Sequence, residues 1–181
     1  MQRTIFIDKG KCVGCYACIV ACKLEHNLPP YPVKPPVGDP AGPELIRVYR
    51  VGPEMRDDEV SHYCQPISCM HCFDAPCIKA CPRSAIYKDA DTGITLVNKD
   101  KCIGCKFCLW VCPYGAPQFY DGKLTLCDLC IHRVGEKRQE GRQTACEAAC
   151  QARAIHVGTS DEISALIGMK AAERAGQKTG I

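Results

Sequence analysis

Sixteen of the 17 cysteines in this chain of 181 residues fall into four groups of four. The most regular group follows the pattern C-x-x-C-x-x-C-x-x-x-C-P and ends at Pro113. Three thiols spaced in this way allow one short loop to surround an iron–sulfur cluster, and the fourth thiol is placed to reach a second cluster. We expect the fourth cysteine to begin a helix that leads away from the loop, with the proline in its first turn. One such motif therefore predicts a partner motif.

The pattern occurs four times, and only the middle gap varies. The gap is two residues wide in motifs I and III, four in motif II and 15 in motif IV. The 16 thiolates suffice for four [4Fe–4S] clusters with four ligands each. Cys64 lies outside the motifs and is not expected to be a ligand, because free cysteines usually behave as buried small hydrophobes. The motifs are Cys12, Cys15, Cys18 and Cys22 (I); Cys69, Cys72, Cys77 and Cys81 (II); Cys102, Cys105, Cys108 and Cys112 (III); and Cys127, Cys130, Cys146 and Cys150 (IV).

Two other uses of cysteine explain this spacing less well. A disulfide framework suits a short secreted chain, but residues 1–8 lack the apolar segment of a signal peptide and the cysteine count is odd. Structural zinc uses pairs of C-x-x-C and does not account for three evenly spaced thiols followed by a fourth. A zinc-stapled binding module is therefore the remote alternative to an iron–sulfur protein.

The formal charge of +3 would by itself favour an acidic partner or nucleic acid. Each oxidised cube with its thiolates carries about −2, so that four cubes bring the assembly to about −5. Nucleic-acid binding is therefore not expected. No apolar run approaches the roughly 20 residues of a membrane helix, so we expect no direct membrane span.

The stretches between the motifs predict short strands, and with the predicted helices they indicate an α+β fold. β-branched and aromatic residues mark the single strands, whereas turn residues between two apolar runs mark the hairpins. One hairpin carries an Asp-Gly turn, the strongest short hairpin signal. Single strands are expected at residues 4–7, 45–51, 60–67 and 154–157, and hairpins at residues 85–97 and 118–126.

Two helices and one irregular segment complete the prediction. The first helix is expected at residues 19–28, starting near Cys22. Residues 29–43 contain seven prolines and are expected to form a surface segment. A capping box at residues 159–162 opens a C-terminal helix, whose apolar side is formed by Ile163, Leu166 and Ile167.

Exchange of fourth ligands joins the motifs in pairs. Motifs II and III share the hairpin between them and both end in Cys-Pro, whereas motifs I and IV continue with Lys23 and Gln151. We therefore pair II with III and I with IV; the alternative joins I with II and III with IV. The nested pairing predicts the ligand sets of cluster 1 (Cys12, Cys15, Cys18, Cys150), cluster 2 (Cys22, Cys127, Cys130, Cys146), cluster 3 (Cys69, Cys72, Cys77, Cys112) and cluster 4 (Cys81, Cys102, Cys105, Cys108).

The same pairing predicts two nested bacterial-type 2[4Fe–4S] ferredoxin-like modules. The outer module comprises residues 1–28 and 118–158, and the inner module comprises residues 44–117. The Pro-rich segment of residues 29–43 is an insertion, and the helix of residues 159–181 is a tail.

Three motifs resemble those of the four-cluster subunits in the dimethyl sulfoxide reductase family. The resemblance implies an electron conduit beside a large catalytic subunit that holds a molybdenum or tungsten bis-pterin cofactor, with room in the complex for a further redox subunit or a membrane anchor. It also implies the nested ligand exchange. The sequences that carry it are Cys69-Met-His-Cys72-Phe-Asp-Ala-Pro-Cys77-Ile-Lys-Ala-Cys81-Pro82, Cys102-Ile-Gly-Cys105-Lys-Phe-Cys108 through Cys112-Pro-Tyr-Gly-Ala-Pro117, and Leu126-Cys-Asp-Leu-Cys-Ile-His-Arg133.

Four clusters in line form a wire for single electrons, and no phosphate-binding loop or carboxylate pair indicates an independent active site. We therefore predict a non-catalytic electron-transfer subunit; a hydrogenase-linked or free-standing polyferredoxin is the alternative. Trp110, Phe107 and Tyr114 are interpreted as packing that shields the clusters. A cytoplasmic location is expected, although related complexes are also exported on the signal of a catalytic partner.

Overall fold

The computed structural model describes residues 2–29, 42–56, 59–135 and 142–179. Most of the Pro-rich segment therefore lies outside the described residues. The described part is a mixture of short strands and short helices, as the sequence predicted. The strands are β1 (Arg3–Ile7), β2 (Ile46–Arg56), β3 (Glu59–Ser68), β4 (Ile86–Lys88), β5 (Thr95–Val97), β6 (Gln118–Tyr120), β7 (Lys123–Thr125) and β8 (Ile155–Thr159). The helices are α1 (Ala17–Glu25), α2 (Pro76–Lys79), α3 (Phe107–Trp110), α4 (Ile131–Val134), α5 (Ala145–Ala148) and α6 (Ser160–Thr179).

The first and last strands form one antiparallel pair, which places motif IV beside motif I. Ile5 faces Val157 across this pair, and both side chains are buried. Helix α1 packs against α5, while α2 packs against α3. The helices of motifs I and IV are thus neighbours, as are those of motifs II and III.

The other three sheets are local hairpins: β2–β3, β4–β5 and β6–β7. The hairpins of residues 85–97 and 118–126 lie where the sequence predicted them. Strand β2 is longer than expected, because it continues past a register shift between Val51 and Glu54 to remain paired with β3.

The helices of the motifs correct two expectations. Helix α1 begins at Ala17, directly after the left-handed residue Tyr16 and well before Cys22. In motifs II, III and IV the sequence predicted a helix that begins at the fourth cysteine. The structure instead has a single helical turn that ends two residues before that cysteine. Pro82 and Pro113 accordingly lie in turns rather than in the first turn of a helix. The fourth thiol is therefore presented by the end of a helix.

The C-terminal helix α6 packs back on the outer strands and on the loop before motif I. Its predicted capping box is confirmed, because the Thr159 and Glu162 side chains each accept from the other's backbone N–H, at 3.3 and 2.8 Å. Of the predicted apolar side, Ile163 is buried but Ile167 is 45 % exposed. The contact that the pattern did not predict is polar: the buried Lys170 places Nζ 2.7 Å from Asp8 Oδ2.

Breaking this buried ion pair is expected to destabilise the protein. Replacing Lys170 by alanine removes one partner of this buried pair, which typically costs about 3 kcal/mol or more. The thermal midpoint of the near-ultraviolet circular dichroism should therefore fall by several degrees, about 2–4 °C for each kcal/mol. Lys79→Ala is the matched control, because the Lys79–Asp74 pair is 67 % and 70 % exposed and contributes little. Equal midpoints for the two variants would contradict the prediction.

Candidate metal centres

The four motifs share one backbone turn as well as the C-x-x-C spacing of their first two cysteines. The residue immediately before the second cysteine has a left-handed conformation in every motif, with φ between 47° and 70°. Glycine adopts this conformation without strain, but two of the four residues are larger. A left-handed residue in a loop turns consecutive N–H groups toward one side, which creates a site for an anion. The residues are Gly14, His71, Gly104 and Leu129.

A second turn closes motifs II, III and IV after the fourth cysteine. The third residue beyond that cysteine is left-handed, and the fourth is a buried alanine. Its backbone N–H donates to the cysteine sulfur in two motifs: Ala85 to Cys81 and Ala154 to Cys150, both at 3.2 Å. The spacing of the cysteines did not indicate this alanine, although its regular position after the fourth cysteine was a signal. The three alanines are Ala85, Ala116 and Ala154.

Motif I replaces this alanine by a histidine. His26 follows Cys22 by four residues, and its Nδ1 lies 2.9 Å from the Cys22 carbonyl oxygen and 3.8 Å from the sulfur. Its Nε2 lies 2.9 Å from Asp128 Oδ1, which also accepts from the Cys130 backbone N–H at 2.8 Å. His26 and Asp128 thus tie motif I to motif IV at the cluster 2 thiols, a contact that the spacing of cysteines did not indicate.

Two cavities are each lined by four cysteines. One contains the thiols of Cys69, Cys72, Cys77 and Cys112. The other contains Cys81, Cys102, Cys105 and Cys108. Each cavity combines three cysteines of one motif with the fourth cysteine of the other. These are the sets predicted for clusters 3 and 4.

The outer thiols also gather across motifs I and IV. Cys12 interacts electrostatically with Cys15 and Cys150. Cys22 interacts in the same way with Cys130 and Cys146. The structure therefore brings together cysteines that are more than 100 residues apart in the sequence. They belong to the sets predicted for clusters 1 and 2.

Neighbouring sets lie close to one another in a fixed order. Cys18 of the first set interacts with Cys146 of the second. Cys127 of the second interacts with Cys69 of the third, and Cys108 of the fourth interacts with Cys77 of the third. In space, the four sets therefore follow one another in the order 1, 2, 3 and 4.

Burial holds the pKa of several of these thiols above the ordinary value of cysteine. Burial raises the pKa of Cys18, Cys69 and Cys130 to about 12. Burial also raises the pKa of Cys108 to about 11. Four convergent soft sulfur ligands with backbone N–H groups directed at them fit an iron–sulfur cluster, which is held by thiolates.

Cys64 lies beside motif I but outside the four sets. Its side chain is buried, and its sulfur lies 2.5 Å from the position that a Cβ atom on Gly14 would occupy. It interacts electrostatically with Cys12. That Cys64 is not a ligand stays a prediction.

The aromatic residues of motif III do not form the shield that the sequence suggested. Trp110 is 82 % exposed, and Phe107 and Tyr114 are about half exposed. Each lies next to or near a cysteine along the sequence, but much of each side chain faces solvent. The interpretation as shielding packing is therefore wrong for Trp110.

Gly14 offers a test of the cluster 1 loop. Replacing Gly14 by alanine is expected to reduce the iron content by about four atoms per chain, one cube. The added Cβ would meet the Cys64 sulfur, and φ at this residue is +67°, which disfavours any side chain. Gly10→Ala is the control, since its Cβ would meet only the Asp8 carboxylate at 3.4 Å. Iron analysis of both variants after anaerobic purification is the measurement, and full iron in Gly14→Ala would refute the prediction.

These thiol sets define the protein as an iron–sulfur protein of the ferredoxin type. A family model described as a 4Fe-4S dicluster domain matches residues 60–160. The sequence is 37 % identical over 186 residues to a subunit of the sulfite dehydrogenase of Allochromatium vinosum, covering 97 % of this chain and 76 % of that protein. It is 38 % identical over 169 residues to a component of the anaerobic dimethyl sulfoxide reductase of Escherichia coli, covering 90 % of this chain and 76 % of that protein. It is 36 % identical over 182 residues to the formate dehydrogenase iron-sulfur subunit of Wolinella succinogenes, covering 90 % of this chain and 84 % of that protein.

This protein belongs to the 4Fe–4S dicluster family of iron–sulfur subunits. The resemblance seen in the sequence is thereby confirmed, and so is the prediction of an electron-transfer subunit that holds [4Fe–4S] clusters and is not itself the catalytic chain. Among the described residues, no helix combines the length and the apolar character needed to cross a membrane.

Proposed function

We propose that this protein is a four-cluster wire that carries single electrons in the order cluster 1, 2, 3 and 4, or in reverse. The ligand sets are those of the nested pairing, in which motifs I and IV form an outer module around motifs II and III. The observation that carries the proposal is that each thiol set lies close to the next: Cys18 and Cys146 share one hydrophobic cluster, Cys127 and Cys69 a second, and Cys77 and Cys108 a third.

The packing supports this order. Cys127 of the second set packs with the buried Cys69 of the third, around Leu126. Cys77 of the third set packs with the buried Cys108 of the fourth, around Ile86 and Leu124. Apolar side chains therefore pack between neighbouring sets.

The residues of the chain have three tasks in this function. The thiols hold the clusters, each of which supplies a one-electron redox centre when bound. Backbone N–H groups, such as those of Ala85, Leu124 and Ala154, donate to cysteine sulfur at 3.2–3.3 Å and stabilise negative charge there. The buried aliphatic side chains around the sets keep solvent away and thereby influence the reduction potentials.

We further propose that the partner is a large catalytic subunit with a molybdenum or tungsten bis-pterin cofactor. The support is that the relatives are named as parts of a sulfite dehydrogenase, a dimethyl sulfoxide reductase and a formate dehydrogenase. A further redox subunit or a membrane anchor would exchange electrons at the opposite end of the wire. The cytoplasm is the proposed location, with export beside a signal-bearing partner as the other arrangement.

The test is anaerobic purification of the tagged protein with whatever accompanies it. The proposal expects about 16 irons per chain, a brown colour that bleaches on reduction, and a large co-purifying polypeptide that contains molybdenum or tungsten. A hydrogenase subunit, or no partner at all, would support a polyferredoxin instead. A colourless preparation that contains zinc would refute the wire itself.

A further inference from the structure

Thr95 carries a buried hydroxyl group with no hydrogen-bond partner in the described part of the chain. The residue lies on β5 and is only 1 % exposed, yet its Oγ1 has neither donor nor acceptor there. A buried polar group without a partner is unfavourable, so it calls for a physical reason. Thr95 lines the cavity that also contains the four thiols of the cluster 3 set. The unpaired hydroxyl therefore borders a predicted metal centre.

The backbone of Thr95 is held in place by motif II itself. Its N–H donates to His71 Nδ1 at 3.1 Å, and His71 is completely buried. The His71 carbonyl oxygen in turn accepts from Lys88 Nζ at 2.9 Å and from Gln2 Nε2 at 2.6 Å. These hydrogen bonds join strands β4 and β5 to the cysteine loop and fix the Thr95 backbone beside it.

We propose that the Thr95 hydroxyl donates a hydrogen bond to cluster 3, to a ligand sulfur or an inorganic sulfide, and that it raises the reduction potential of that cluster. Thr95 is a positioning and tuning residue, not a ligand. The inference rests on the proposed ligand set of cluster 3, and it deepens the proposed function by assigning one determinant of the potentials along the wire.

The expected direction follows from charge. Reduction adds one electron to the cluster, so a hydrogen bond to its sulfur is stronger in the reduced state than in the oxidised state. Removal of the donor therefore makes reduction harder and shifts the potential to more negative values. A tenfold decrease in the equilibrium constant for reduction corresponds to about 59 mV for a one-electron couple.

The experiment is an anaerobic redox titration of the iron-loaded protein, followed by electron paramagnetic resonance. Thr95→Val removes the hydroxyl while it preserves the shape of the side chain. The equilibrium constant for reduction of cluster 3 should fall about tenfold, which shifts its reduction potential by about 59 mV to more negative values. Thr95→Ser retains the hydroxyl and should stay close to the parent protein. Thr125→Val is the matched control, because the Thr125 hydroxyl is also buried without a described partner but lines neither cysteine cavity.

The cluster 3 component is identified beforehand as the one that Cys77→Ser alters. If Cys77→Ser alters no separate component, the proposed ligand set fails. If it does, the inference about Thr95 is overturned by an unshifted potential in Thr95→Val, by an equal shift in Thr95→Ser, or by the same shift in Thr125→Val. If Thr95→Val lacks the cluster, Thr95→Ala takes its place in the comparison with Thr95→Ser.

Discussion

Replacing Cys146 by alanine is expected to lower the iron content from about 16 to about 12 atoms per chain, because one of four cubes loses a ligand. Cys146 is buried on α5, and its thiol interacts with both Cys22 of its own set and Cys18 of the first. In the proposed wire, cluster 2 lies between the two ends. Electron transfer through the whole wire should therefore fall by orders of magnitude, while the ends still accept electrons.

Cys64→Ser is the control for this prediction, since Cys64 is a similarly buried cysteine outside the four sets. It should retain about 16 irons and full electron transfer. Iron analysis and stopped-flow oxidation of the reduced protein provide the two measurements. If Cys64→Ser lost as much iron as Cys146→Ala, Cys64 would have to be counted among the ligands.

Removal of iron is expected to unfold the described part of the protein almost completely. Cys18, Cys22 and Cys146 lie in the largest hydrophobic cluster among the described residues, together with Leu129 and Ile155. Three of the four sheets in the described residues are two-stranded hairpins, and such pairs are marginally stable alone. The metal-binding free energy is therefore folding free energy, as in other small metal domains.

The measurement is near-ultraviolet circular dichroism before and after treatment with an iron chelator under anaerobic, reducing conditions. The signal should collapse, and it should return when iron and sulfide are restored. Acidification should act in the same direction as the chelator, because burial raises the pKa of thiols such as Cys18 and Cys130 to about 12. Iron must displace a proton from each thiol, so a fall in pH favours cluster loss. Retention of a native spectrum by the iron-free protein would contradict this expectation.

The local elements were predictable because their signals are local. Asp121 and Gly122 both have positive φ at the tip of the β6–β7 hairpin, which is what the Asp-Gly pair indicated. The capping box of α6 was also visible in four consecutive residues. The regular spacing of cysteines indicated the type of cofactor for a similar reason, since the first three cysteines of motifs I, II and III each lie within one short stretch of sequence.

The features that the sequence did not reveal depend on contacts between distant residues. Nothing in the pattern of α6 distinguishes Lys170 from its exposed neighbours, because its partner Asp8 lies 162 positions earlier. His71 adopts a left-handed conformation that its residue type does not predict, and it does so where strand β5 supplies the N–H of Thr95. The outward position of Trp110 likewise depends on what packs around motif III.

The pairing of β1 with β8 has a consequence for biosynthesis. Residues 3–7 emerge from the ribosome long before their strand partner at residues 155–159. Under the proposed ligand sets, cluster 1 lacks its fourth ligand until Cys150 has been translated. Clusters 3 and 4 have all their ligands once Cys112 has emerged. Insertion of the cubes should therefore begin in the middle of the nascent polypeptide, and the outer two should be added only after residues 127–159 have been translated.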